Sequence, residues 1–372
     1  MTPASVPEFH LRLLDPPLQT AELPGIGGRV RMQPEDFQVR ELPAYGPDGR
    51  TGAHLLLILH KRGIGTEDAI VELSRQTGIP RPEIGLAGLK DKDAVTEQWI
   101  TVPFAAGPRL VEFSHPAIQL GPAAPHGNKL RRGHLHGNRF DLVIRDLAVP
   151  GEEARTRLAA KAARLAELGG LDNLYGNQRL GNDGGNLRRG LELLASGARR
   201  GKADFLLSAG QSALFNLYLL ERRARGLMRT VLLGDILKKT ATGGLFESRE
   251  PEVDQARLDA GELGLTGPMF GSKMRAPSPG TAADALEREI LDLAGISPEA
   301  LRALGGKVEG TRRPLQLSTI DLQVDLAAAE GPLPSGLRLH FSLPAGSYAT
   351  VLLQELQAPV TPTTGTSAPA PE

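Results

Sequence analysis

The amino-acid sequence predicts an α/β (α+β) protein in which one sheet-based domain is interrupted by a helix-rich insertion. Three observations predict it: strand-like alternation in segments up to residue 147, a helix-dominated stretch from about 170 to 317, and strict alternation again after it. The 372 residues also exceed one ordinary domain of roughly 100 to 200 residues, as a core with an insertion requires. The expected limits are 25–169 for the first part of the core, 170–317 for the insertion, 318–357 for the returning strands and helix, and 358–372 for a disordered Pro/Thr/Ala tail.

Taken in order, the first 24 residues are punctuated by proline and read as irregular, after which "GRVRMQPEDFQVREL" (28–42) alternates apolar and polar positions. "AHLLLILHKRG" (53–63) is a compact apolar run ended by glycine, a buried strand. "TEDAIVELSRQTGIP" (66–80) reads as a helix: Thr66 at the N-cap, Glu67 and Asp68 in the first turn, Ile70 and Leu73 on one face, Gly78 and Pro80 as the stop. "NRFDLVIRDL" (138–147) alternates with Phe140, Leu142 and Ile144 on one face, and "EEARTRLAAKAARLAEL" (152–168) follows as an alanine-rich helix. "SALFNLYLLERRARG" (212–226) predicts a helix burying Leu214, Leu217 and Tyr218 and ending in arginines and glycine. "STIDLQVDLA" and "LRLHFSL" alternate as strands, and "SYATVLLQEL" (347–356) closes the body as a short helix.

Composition narrows the function. Lys+Arg 43 balance Asp+Glu 43, so any case for nucleic acid rests on how the charges are distributed. Basic residues cluster in "KLRRGHLHGNR" (129–139), "RRGLELLASGARRGK" (188–202) and "ERRARGLMR" (221–229), while acids gather in 246–262. Each cluster reads either as a phosphate contact or as the solvated face of a helix. The absence of cysteine excludes disulfides, thiolate nucleophiles and cysteine-ligated zinc. The opening residues lack a signal-peptide pattern and no run approaches about 18 apolar residues, so a soluble cytoplasmic protein is expected. His126, His134 and His136 lie among Lys129, Arg131, Arg132 and Arg139 rather than carboxylates, which suits phosphate contacts or surface exposure better than a metal. "GIGGRV" (25–30) lacks the full dinucleotide fingerprint, no phosphate-binding P-loop occurs, and "GQSAL" (210–214) has leucine where a nucleophile elbow needs glycine.

One stretch raises a chemical question: "GLAGLKDKDAVTEQW" (85–99) sets Asp91 between Lys90 and Lys92 on a loop between two extended segments. Flanking cations favour an ionised carboxylate. Asp91 is then either a candidate nucleophile or one member of a turn of local ion pairs, and Asp93 is an ordinary turn acceptor. Exposed pairs are worth only about 0 to 1 kcal/mol, so stability alone gives little reason for such a loop.

These residues resemble the TruD family of tRNA pseudouridine synthases. "AGLKDKDAVTEQW" is similar to the family's G-x-K-D-[KR]-x-A-[VT]-T-x-Q context, and "QPEDFQVRE" (33–41), "GNRFDLVIRD" (137–146), "NLYGNQRLG" (173–181), "GGNLRRG" (184–190), "SALFNLYLLER" (212–222) and "LPAGSYATVLLQEL" (343–356) follow in the family's order. The resemblance implies a pseudouridine synthase core on a mostly antiparallel sheet with a family-specific insertion. It implies isomerisation of uridine 13 in the D arm of tRNA, with no cofactor and no metal. Asp91 matches the family's catalytic aspartate, Phe140 its base-stacking aromatic and Asn138 the polar partner near the loop. Arg31 stands where the family often has a lysine beside the aspartate, with Arg29 as the alternative if the register slips. Lys90, Lys92, Arg139 and Arg179 are further expected contacts to RNA, which is gripped mostly through phosphates. The basic clusters are expected to line a tRNA path in a cleft between the two domains. A monomer with no protein partner and no membrane contact is expected.

Overall fold

The computed structural model of the protein describes residues 8–47, 49, 52–197, 204–318, 320–358 and 360. Expectations for the tail beyond 360 and for residues 198–202 of the second basic cluster lie outside the described residues. By its contacts the chain divides into two units: one comprises Glu22–Ala162, Ile320–Ser347 and Leu356–Glu372, the other Met1–Ala21, Ala163–Thr319 and Tyr348–Glu355.

In the first unit the alternating segments form one ten-stranded sheet. Its path runs Gln323–Ala327, Gly336–Pro344, Leu135–Leu147, Phe37–Pro43, Val95–Pro103, His54–Arg62, Ile118–Leu120. Three short strands join it: Gly27–Val30 beside Leu135–Leu147, Gly85–Leu86 beside Val95–Pro103, and Ala124–His126 beside His54–Arg62. Phe37–Pro43 and Val95–Pro103 are parallel, and the remaining pairings are antiparallel. The returning strand Gly336–Pro344 pairs along Leu135–Leu147, so the two ends of the chain's interrupted core share one ladder.

Register decides which side chains share a face, because partners across a ladder point the same way. Phe140 stands opposite both Val39 and Phe341, Asn138 opposite Glu41, Val39 beside Thr96, and Thr96 opposite Lys61. Leu55, Leu57 and Leu59 alternate onto the face of Lys61, where they cluster with Ala69, Ile70 and Leu73 of the helix Thr66–Thr77. A polar set (Glu41, Lys61, Thr96, Asn138) therefore lies in line with an apolar core.

Several expectations change. The first 24 residues contain a helix, Glu8–Leu14. The alternation of 28–42 breaks into two strands, because Arg31 adopts a left-handed backbone (φ 61) and Pro34–Asp36 make a 3-10 turn. Asp36 in that turn is buried and accepts from Arg145 Nε at 3.0 Å, and Arg145 also donates to the carbonyls of Ala328 and Pro334. The helix after the apolar strand is capped by Gly65 rather than Thr66, whose hydroxyl is engaged elsewhere. It stops as expected at Gly78, left-handed with φ 65.

The second unit is not purely helical: Leu245–Glu247, Ile236–Lys239, Leu263–Met269 and Thr311–Pro314 form an antiparallel sheet. The helix predicted over 212–226 starts earlier, spanning Asp204–Ala224, so Gly210 of "GQSAL" is mid-helix. A side chain there would strike the backbone of Gly190, at 2.7 Å, which explains a glycine at this helix crossing. Leu214, Leu217 and Tyr218 are buried as expected.

The Asp36–Arg145 pair fixes the turn that precedes Phe37, with both side chains 1% exposed. Removing one member strands the other charge, so Arg145→Ala is expected to cost about 3 to 5 kcal/mol in equilibrium denaturant unfolding.

Candidate active site around Asp91

Residues 87–94 link Gly85–Leu86 to Val95–Pro103, so Asp91 sits where the chain turns back on itself. Hydrogen bonds from several segments tie down this short stretch. Thr66 Oγ1 accepts from the Lys90 N–H at 2.9 Å and donates to Gln98 Oε1 at 2.7 Å, and Gln98 Nε2 donates to the Gly88 carbonyl at 3.2 Å. Gly133 N–H donates to the Ala87 carbonyl at 2.9 Å, and Gly63 N–H to the Ala94 carbonyl at 3.2 Å. The loop is held by its backbone, which leaves the Asp91 side chain for chemistry.

The two flanking lysines behave differently. Lys90 turns inward: its Nζ lies 3.0 Å from Glu41 Oε2 and 2.5 Å from Asn138 Oδ1, with the lysine side chain 6% and the glutamate 0% exposed. Because an ammonium only donates, the contact fixes the Asn138 carbonyl oxygen toward Lys90. The other Glu41 oxygen accepts from Trp99 N–H at 3.2 Å. Lys92 and Asp93 are exposed. Lys61, on the neighbouring strand, donates from Nζ to the Asp91 carbonyl at 2.5 Å.

Asp91 remains 43% exposed and meets Arg31, whose Nη2 lies 2.5 Å from Oδ2. The left-handed backbone at Arg31 costs about 1 to 3 kcal/mol at a non-glycine residue. The Arg31 guanidinium also stacks 3.8 Å from the ring centre of Phe37, which restricts its approach to the carboxylate. Phe37, Phe140 and Phe341 continue as an aromatic row, Phe140 stacked on Phe341 at 5.1 Å and edge-on to Phe37 at 6.3 Å. The exposed Asp91 carboxylate thus meets the Arg31 guanidinium, which lies over an aromatic row that is itself buried, Phe37 at 3%, Phe140 at 7% and Phe341 at 2%. Such a set can hold a nucleophilic or proton-abstracting carboxylate against a flat base.

Of the residues expected from the sequence, the structure brings Arg31 onto Asp91 and Asn138 onto Lys90, while Phe140 packs between Phe37 and Phe341 and is 7% exposed. Arg29 pairs in register with Arg145 and does not reach Asp91's partner position, which Arg31 fills. Arg139 is exposed on the opposite face of the sheet, in register with Arg40 and Ser342. Arg179 belongs to the other unit, where it donates to Ser208 Oγ and lies 5.0 Å from the Phe205 ring centre. His126 is buried at 2% exposure and stacked on Tyr45, not a surface residue, and Tyr45 also bonds to His134.

The basic cluster 221–229 is likewise turned to structural use. Arg222 is fully buried with Asp235 at 2.6 Å, Arg223 pairs with Asp172 at 2.8 Å, and Arg225 pairs with Glu289. These arginines have carboxylate partners and are poor phosphate contacts. In the first unit, by contrast, a groove of about 790 Å³ is rimmed by Arg81, Lys129, Arg131 and Arg132 over an apolar floor including Ile84 and Leu130, with Leu89 of the Asp91 loop on its wall.

Glu41, Lys61, Phe37 and Phe341 escaped sequence reasoning. One signal marks two of them: Glu41 and Lys61 occupy apolar-phase positions of alternating strands, after Phe37 and Val39 and after Leu55, Leu57 and Leu59. A charged residue in phase with a buried face needs a partner.

Thr66 gives the most direct handle on the loop. Thr66→Val removes the acceptor for Lys90 N–H and the donor for Gln98, so stability should fall by about 1 to 3 kcal/mol. Amide hydrogen exchange should then speed up across 87–94 more than in the strands on either side.

Comparison with known proteins identifies the family. A family model described as tRNA pseudouridine synthase D (TruD) matches residues 15–197 and 200–356. A relative named tRNA pseudouridine synthase D from Anaeromyxobacter sp. is 45% identical over 355 residues, covering 92% of this chain and 96% of the relative. One of the same name from Thermus thermophilus is 42% identical over 344 residues, covering 91% of each. A crystal structure of the putative tRNA pseudouridine synthase D from Methanosarcina mazei shares the fold, with a TM-score of 0.71 at 22% identity over 95% of this chain and 98% of that one. The match runs through both units and through the Asp91 loop, and the chain therefore belongs to the tRNA pseudouridine synthase D family.

Proposed function

We propose that this protein isomerises uridine 13 in the D arm of tRNA to pseudouridine, with Asp91 as the catalytic group. The observation that carries the reading is the exposed Asp91 carboxylate, paired with Arg31 at 2.5 Å on a loop fixed by its backbone, in a chain of this family. The reaction breaks the bond between uracil N1 and ribose C1′ and remakes the link through C5. The carboxylate either bonds to C1′ as N1 departs, or takes the 2′ proton to leave a glycal and later returns it. In both routes the uracil turns and C5 bonds to C1′, displacing the carboxylate where it is bonded there; the C5 proton then passes to solvent and N1 takes up a proton. A deprotonated carboxylate serves either route.

The target nucleotide must leave its stack, which costs about a few kcal/mol and is offset by contacts in the site. Phe140 stacks on the extruded base. Asn138, its carbonyl held by Lys90, offers the amide NH₂ to a uracil carbonyl. Arg31 holds the Asp91 carboxylate in place, and Lys92 meets phosphate. The groove rimmed by Arg81, Lys129, Arg131 and Arg132 takes the RNA strand next to the target, its cations on phosphates and its apolar floor under a base. No helix among the described residues is long and apolar enough to cross a membrane. The enzyme works in the cytoplasm as a monomer, without a cofactor or metal.

Unmodified tRNA carrying tritium at uridine C5 tests this, since the isomerisation releases that tritium. Wild type and Asp93→Asn should release it and Asp91→Asn should fall by at least about 10²-fold, with the product mapping to position 13. Release by Asp91→Asn at the wild-type rate would remove Asp91 from the chemistry. No release from any tRNA, with salt-sensitive binding intact, would point to another RNA or to a non-catalytic binder.

A further inference from the structure

Four buried cations among the described residues are matched by carboxylates: Arg145 by Asp36, Arg222 by Asp235, Arg312 by Glu287 and Lys90 by Glu41. Lys61 is not so matched, and unlike Arg313, whose guanidinium donates to both the carbonyl and the side-chain oxygen of Asn173, its side chain has a bond only to the loop main chain. It is 2% exposed, sits in phase with Leu55, Leu57 and Leu59 on the covered face, and among the described residues has no carboxylate pairing with it. Its ammonium donates instead to the main-chain carbonyl of Asp91 at 2.5 Å. A buried ammonium given only a carbonyl costs stability that an apolar side chain would not. At the next in-phase position after the leucines, such an expense is explained by what it does to the loop.

We propose that Lys61 is a positioning residue for the reaction, holding the Asp91 main chain from below and keeping a positive charge beside its carboxylate. The inference rests on the proposed role of Asp91. Lys61 fixes where the carboxylate stands relative to the sugar, while Arg31 meets the carboxylate itself from the exposed side. A displacement of about 1 Å at such a point is worth up to about a hundredfold in rate.

The ionisation of Lys61 supplies a signature. Burial pushes its ammonium down to about 8, with the Asp91 charge opposing the shift and the Lys90 charge adding to it. Its cross-strand neighbours Thr96 and Ile118 carry no charge. The folded state therefore releases this proton more readily than the unfolded chain, where lysine titrates near about 10.4. Between those values the unfolded chain binds more protons, so the contribution to folding stability rises as pH rises from about 8. The positioning charge is lost over the same window, so the rate should fall as stability gains.

The test compares wild type, Lys61→Met and Lys61→Arg by single-turnover tritium release at saturating enzyme, by tRNA Kd and by Tm, from pH 6.5 to 9.5. Lys61→Met should melt at or above the wild-type Tm and bind tRNA as wild type does. Its single-turnover rate should nonetheless be down about tenfold to a hundredfold, without a step near pH 8. Lys61→Arg, charged throughout, should regain part of the rate and move the alkaline decline upward. A Lys61→Met enzyme with the wild-type rate, or one whose lost rate tracks a lowered Tm with the pH profile unchanged, overturns the inference. An inactive wild type would instead defeat the proposed function, which separates the two failures.

Discussion

A buried ion pair, Lys90 with Glu41, is the contact on which the rest of the site depends. It joins the residue before Asp91 to the strand Phe37–Pro43, and through the second carboxylate oxygen and Asn138 it reaches the strands Val95–Pro103 and Leu135–Leu147 as well. A loop that presents a carboxylate to a macromolecular substrate must stay exposed, and exposed loops are mobile. Turning one flanking lysine into the sheet resolves that conflict. The lysines around Asp91 therefore differ in kind: Lys90 is an anchor and Lys92 a surface charge. A symmetric reading of the K-D-K stretch hides this.

Around that anchor the charges form a graded arrangement. Below the loop, Lys61 holds the Asp91 carbonyl; above it, Arg31 meets the carboxylate, its approach set by a left-handed backbone and by the Phe37 ring. The turn that delivers Arg31 and Phe37 is in turn fixed by Asp36 and Arg145. The motif "QPEDF" thus places the preceding cation and its own aromatic ring, and of its two acids Asp36 is structural. In the other unit the same device, arginine with a buried carboxylate, builds the core around Arg222 and Arg312. Positive charge in a tRNA-modifying family is not by that fact a phosphate contact: burial and partners decide.

Much of this was legible in the sequence because period and pattern agree. The strand, helix-rich, strand order, the face carrying Phe140, Leu142 and Ile144, and the stop at Gly78 all follow from local rules, and the collinear motifs led to Asp91, Asn138 and Phe140. What escaped depends on partners distant in sequence. Thr66 looks like an N-cap, but Lys90 and Gln98 claim its hydroxyl. The arginines of 221–229 look like a basic patch, but Asp235, Asp172 and Glu289 neutralise Arg222, Arg223 and Arg225. Arg139 lies next to Phe140 in sequence and on the opposite face in the sheet, as the period of two requires. Glu41 and Lys61 left a trace, a charge in an apolar phase, whose meaning needed the register of three strands.

The central claim is that chemistry depends on a loop anchored from within the sheet. It is tested most directly by replacing both members of the anchor, Glu41→Met with Lys90→Met, which leaves no unpaired charge buried and so preserves the fold. The quantity to measure is the single-turnover rate of tritium release at saturating enzyme, with tRNA Kd alongside. The account predicts a rate reduced by about tenfold to a hundredfold with Kd unchanged. A double replacement that folds, binds tRNA and reacts at the wild-type rate would contradict it.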